Sequence, residues 1–189
     1  MTALPSHQFY TLLSRYPKVF CLFLPIILLL FHCWYYLPFL SDDSLISLRY
    51  SQRLLDGFGL TWTEGVPVEG YSNLLLVLLV ASLGYFSLDL ILAVRLIGLL
   101  SIIVVFVANY LCWKDNDEIS RSYLLVSQLI LACSAPIAVW TIGGLEQPLA
   151  AALLALAVMF LWSFFDTAKF TYLFPSSLFL GLLLSLIHI

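Results

Sequence analysis

From residue 90 to residue 113 the chain runs 24 positions with one charged side chain, Arg95, and from 148 to 165 it runs 18 with none. An α-helix rises about 1.5 Å per residue, so some 20 apolar residues cover the roughly 30 Å hydrocarbon core of a bilayer. Backbone N–H and C=O groups find no water there, and a helix is the form in which one apolar run satisfies them all by itself. Comparable runs lie at 19–40, 74–86, 123–139 and 172–189, and the short segments between them hold nearly all Asp, Glu, Lys and Arg. With 62% hydrophobic and 10% charged residues, the 189-residue chain has too little polar side chain to cover a water-soluble globule. The expected class is an all-α, polytopic integral membrane protein, whose sparse polar segments carry the function.

Other classes fall away on the same grounds. A net charge of −3 without basic runs offers no surface for nucleic acid. Cys21, Cys33, Cys112 and Cys133 sit in apolar runs without CxxC or Cys/His ligand spacing, and read as small apolar residues rather than a disulfide framework or zinc site. Residues 19–40 follow Arg15 and Lys18, exceed a signal-peptide core in length and lack a small-residue cleavage site, so they read as a retained first span. No internal repeat, low-complexity tract or linker divides the chain, and 1–189 reads as one transmembrane domain.

The run 74–86 decides the topology. At about 13 residues, ended by Gly84 and Ser87-Leu88-Asp89, it has the length of an interfacial or re-entrant segment. If it crossed, the loops holding Lys114, Arg121 and Lys169 would lie outside. If it stays on the outer surface, Arg15, Lys18, Lys114, Arg121 and Lys169 are all cytoplasmic, as the positive-inside tendency favours. The second arrangement has about five spans, near 19–40, 90–113, 122–139, 147–165 and 172–189, with the N-terminus inside. An outer segment with surface helices then covers 41–89, and a second outer loop covers 134–147.

Within the first outer segment, Ser41 is placed to cap a helix with Asp42 and Asp43 in its first turn and a stop at Gly57. Arg49, Arg53 and Asp56 give that helix a polar face towards water or a polar cavity. Residues 60–68 alternate loosely around Glu64-Gly65 and suggest a small hairpin, limited by Pro67. Ser72 or Asn73 then caps the short apolar helix.

Each candidate for chemistry has a plainer alternative. Asp42 and Asp43 can serve as general base or cation ligand at a membrane rim, or simply complement the helix dipole. Arg95, about five residues into a span, can face an anion such as phosphate, or snorkel and pair with Asp89. Glu146, between Gly143-Gly144 and Pro148, can join the same outer cleft or cap the next helix. Glu69, Tyr71 and Asn73 flank Gly70 in a polar cluster suited to sugar hydroxyls or lipid headgroups, or to turn formation alone. Trp34, Tyr35, Tyr36 and Trp113 read as interfacial belts.

The stretch Asp42-Asp43-Ser44-Leu45-Ile46-Ser47-Leu48-Arg49-Tyr50, with Asp56-Gly57-Phe58-Gly59-Leu60 and Val68-Glu69-Gly70-Tyr71-Ser72-Asn73, resembles the N-terminal part of bacterial polytopic glycosyltransferases of the GT-C class. It is most similar to the branch of mycobacterial terminal arabinofuranosyltransferases and LphB-type lipopolysaccharide proteins. Gly143-Gly144-Leu145-Glu146-Gln147 resembles that branch's second outer-loop motif. More distantly, the pattern is similar to protein mannosyltransferases and the aminoarabinose transferases of lipid A.

The resemblance implies transfer of a sugar from a polyprenyl-phosphate donor to an envelope glycan or lipid acceptor, on the periplasmic face of the bacterial inner membrane. Asp42 matches the family's catalytic aspartate and would accept the acceptor's proton; one base and direct displacement imply inversion. Arg95 would stabilise the departing lipid phosphate, Asp43, Arg49, Glu69, Tyr71 and Asn73 would bind substrate, and Glu146 would close the cleft. Some relatives use a divalent cation, and the carboxylates here specify no metal. Family members have about ten or more spans and a periplasmic C-terminal region. The chain stops near where an Arg-Pro-acidic-Gly motif is expected, which implies an N-terminal part lacking some of the donor site. The alternatives are a transporter or flippase subunit without enzymatic activity, or an inactive fragment.

Overall fold

A computed structural model describes residues 17–64, 68, 70–113 and 118–187. Among them every regular element is helical, and there is no strand. The expected hairpin over 60–68 is therefore not formed by its described part, where 62–64 are bends; residues 65–67 lie outside the described set.

The helices are α1 (Phe20–Tyr35), α2 (Asp42–Leu55), α3 (Leu74–Tyr85), α4 (Leu90–Cys112), α5 (Glu118–Cys133), α6 (Ala135–Ile142), α7 (Gln147–Thr167) and, after a 3-10 turn at Phe170–Tyr172, α8 (Leu173–Ile187). Two of them, α4 and α7, are long and apolar enough to cross a membrane, and a third crossing exists if α5 and α6 act as one broken span. The expectation of five spans is corrected to these two or three.

Local chemistry explains the shortfall. The run 19–40 yields only 16 helical residues, about 24 Å at 1.5 Å per residue, because Pro38 drives the preceding residue out of the helical region. Turns with Tyr36 N–H to Cys33 O and Phe39 N–H to Tyr36 O complete the run. The span expected over 122–139 breaks at Ser134 with a bend of 59°. Pro136 lacks the N–H that would reach the carbonyl of Ala132 in a continuous helix. That carbonyl instead lies 3.1 Å from Nδ1 of His32 on α1, a hydrogen bond when Nδ1 carries the proton.

The central element is α4, which packs against α1, α2, α3, α5, α6 and α7. On one side Ile102 and Phe106 meet Leu29 and Cys33 of α1, Ala132 of α5 and Ile142 of α6. On the other, Ala93 and Val94 join a cluster with Leu48, Leu76, Val80, Leu153 and Leu186. At Gly98 an added Cβ would stand 2.0 Å from the carbonyl oxygen of Thr141, so α4 and α6 touch backbone to backbone. This contact fixes the level at which the 143–147 turn meets the rest of the molecule.

Candidate polar cleft

The 143–147 turn is built against the start of α2. Gly144 has φ +88, and a Cβ there would meet Ser44 Cβ at 2.9 Å, so both the backbone and the space require glycine. The backbone N–H of Ser41 donates to Gly143 O at 2.9 Å. Ser41 does occupy the N-cap position of α2, but its side chain makes no capping bond, contrary to the sequence expectation. Ser44 Oγ donates to Ser41 O, which tightens the first turn further.

Two further residues at cap positions are also diverted from capping. Asn73 precedes α3 and Glu146 precedes α7, and neither side chain bonds its own helix. Instead Asn73 Nδ2 donates to Glu146 Oε2 at 2.8 Å, while Ser47 Oγ donates to Asn73 Oδ1 at 3.0 Å. Asn73 is only 4% exposed, and both ends of its amide are satisfied by these bonds. The relay links α2, the turn before α3 and the turn before α7.

Around it opens a cleft of about 260 Å³ whose lining includes Asp43, Ser47, Tyr71, Asn73, Glu146 and Gln147. The structure thus brings together four residues singled out from sequence, Asp43, Tyr71, Asn73 and Glu146. No Lys or Arg is among the described residues of the lining, so its formal charge comes from two carboxylates. Asp42 is exposed at the head of α2, where its Oδ1 accepts the backbone N–H of Asp43, and it stands outside the lining. Arg49 is exposed on α2, also outside it. Glu69 lies outside the described residues.

Arg95 is placed differently from either sequence reading. Its Nη2 donates to the carbonyls of Leu37 and Phe39 at 2.9 and 3.1 Å, holding the connector that leads to Ser41. The alternative partner Asp89 caps α4 by accepting from Leu92 N–H. Arg53, expected on a face towards water or a polar cavity, is only 7% exposed, donates to Thr61 Oγ1 and lies over the Phe58 ring at 4.2 Å. Its charge is satisfied by a hydroxyl and an aromatic face rather than by water.

Sequence reasoning missed Tyr50 and the serines. Tyr50 is 1% exposed; its hydroxyl donates to Val68 O at 2.6 Å and accepts from Gly70 N–H at 2.9 Å, and its ring lies 4.6 Å from that of Tyr71. It shapes the turn that carries Tyr71 into the cleft. Ser44, Ser47 and Ser51 are all buried, and Ser51 Oγ donates to Val77 O on α3. Their helical spacing is a signal of close approach that the apolar periodicity of α2 obscures.

Among the described residues no group of three or more His, Cys, Asp or Glu side chains gathers to hold a metal. No protein family, curated protein or solved structure matches the chain.

Proposed function

We propose that this chain acts in a membrane glycosyltransferase of GT-C type, moving a sugar from a polyprenyl-phosphate donor to an envelope glycan or lipid acceptor. The observation that carries this reading is the convergence of Asp43, Tyr71 and the Asn73–Glu146 pair, from three separate segments, on one polar cleft. These are the segments in which the resemblance to that class resides. In this reading α4 and α7 cross the bacterial inner membrane, and the cleft opens on the periplasmic side.

The acceptor oxygen would attack the anomeric carbon as the bond to the lipid phosphate oxygen breaks, with inversion. The acceptor's proton would pass to Asp42, and the lipid phosphate would leave with the bonding pair. Asp43, Tyr71 and Glu146 would hold acceptor hydroxyls, with Asn73 fixing the Glu146 carboxylate. Arg95 would act through the connector it clamps, since Asp42 follows that connector directly.

The test is reconstitution in vesicles with a polyprenyl-phosphate-linked sugar, followed by assay of lipid phosphate release. Asp42→Asn should lower release by about 10²–10⁴-fold, the usual range for a lost general base, while insertion is unchanged. Loss on Asp43→Asn with full activity in Asp42→Asn would move the base to Asp43. Wild-type release by both variants would remove the dyad from the chemistry. The 59° break between α5 and α6 favours one other reading, a transporter or flippase subunit, because discontinuous helices line transport paths. Lipid-linked sugar crossing the vesicle without being consumed would establish that reading instead.

A further inference from the structure

Gln147 closes one side of the polar cleft. That residue also lines an apolar hollow of about 190 Å³ with Ile102, Pro148 and Ala151. Ala151 in turn lines a second hollow, of about 590 Å³, between α4, α5 and α7. The lining advances together along both long helices, from Ile102 to Cys112 on α4 and from Gln147 to Met159 on α7. Gln147, Ala151, Ala155 and Met159 recur every four residues, so cleft and hollows follow one face of α7 for about 18 Å, more than half of a ~30 Å hydrocarbon core.

From this succession along one helix face we infer a binding site for an amphipathic lipid with an uncharged, hydroxyl-rich headgroup, head in the cleft and chain along α7. The two ends differ in chemistry as the two ends of such a molecule do. Hydroxyls can donate to the carboxylates of Asp43 and Glu146, whereas a phosphate would meet two like charges and no cation among the described lining residues. The chain end is lined by Val105, Ala108, Leu154 and Val158, with one polar pair, Asn109 Nδ2 to Ser127 Oγ at 3.0 Å, already bonded to itself. A hydrocarbon chain is slender enough to follow this face, and a packed helix is the competing occupant, marked in the test below by equal retention of all three lipids. The inference rests on the transferase reading in one respect, since it makes this lipid the acceptor and leaves the phosphate-bearing donor to another surface.

Binding tests it without requiring transfer. The full chain in nanodiscs is offered dibrominated glucosyl-diacylglycerol, polyprenyl phosphate or phosphatidylcholine, with retention read by native mass spectrometry and bromine quenching read from tryptophan fluorescence. Trp140 lines the first hollow and is the reporter, with Trp140→Phe as its control. The expected result is at least tenfold preferential retention of the glucosyl lipid, with quenching that Trp140→Phe removes. Glu146→Gln and Ala155→Phe should each reduce that preference about tenfold. Equal retention of polyprenyl phosphate or phosphatidylcholine by the wild type overturns the inference, whatever the variants do. Preference that survives both Ala155→Phe and Ala151→Leu overturns the groove. Transfer activity without glycolipid preference would sink this site and leave the transferase reading standing; preference without transfer would do the reverse.

Discussion

Asn73 joins two elements by giving both ends of one buried amide to other side chains, Ser47 and Glu146. Asn73→Ala would leave a hydroxyl and a carboxylate unpaired at the cleft wall, a loss of about 1–3 kcal/mol, and should lower the thermal unfolding midpoint. Asn73→Asp should be worse for the cleft than for packing, because it sets a like charge against Glu146. Gly98 makes a sharper claim. Its replacement by Ala places a carbon 2.0 Å from Thr141 O, backbone that cannot rotate away, so α4 and α6 must separate at a cost of about 1–3 kcal/mol. Gly181, also helical, meets nothing within 4 Å, and Gly181→Ala should be neutral or stabilising by about 0.5–1 kcal/mol. Thermal unfolding of the two variants side by side checks the contrast. Gly98 was unremarkable in sequence, because an apolar helix tolerates glycine anywhere; only the neighbouring backbone gives it a role.

At the scale of the element, the break between α5 and α6 has a stated cause. Pro136 removes one donor, and the carbonyl thus released lies 3.1 Å from His32 Nδ1. Pro136→Ala should restore the N–H to Ala132 O, lengthen the α5–α6 helix and reduce the 59° bend. Spin labels at Val126 and Trp140, read by dipolar distance measurement, should move apart; an unchanged distance would mean that packing of α6 on α4 holds the bend. The sequence carried Pro136 in plain view, but the apolar run passes through it without interruption, and hydropathy alone cannot separate one span from two short helices. Helix α2 was more legible. Its acidic first turn and the stop at Gly57, whose φ is +82, appear as expected. The sequence left open whether Arg53 of α2 faces water or a polar cavity, and it is buried because Phe58 and Thr61 cover the guanidinium.

For the whole molecule, the shared lining of α4 and α7 implies that they run in the same direction, so that if both cross a membrane, Ser87 before one and Ala168 after the other stand at opposite faces. In a cysteine-free background, Ser87→Cys should react with an impermeant maleimide from outside intact cells and Ala168→Cys only after permeabilisation. Labelling of both from one side would overturn the parallel arrangement across the bilayer. The sequence by itself determined the helical class and the candidate residues, because apolar run length and the lack of polar cover are local properties of the chain. It also offered Asp43, Tyr71, Asn73 and Glu146 as chemistry-bearing groups, since they stand in the short segments between apolar runs. It left open whether Asn73 and Glu146 cap helices or meet one another, and whether Arg95 waits for an anion or holds a connector. Those choices turn on which backbone or side-chain group lies within about 3 Å of a side chain. Helices that are apolar all round carry no mark of which face will find a partner, so only the tertiary packing around Gly98 and Gly144 decided them.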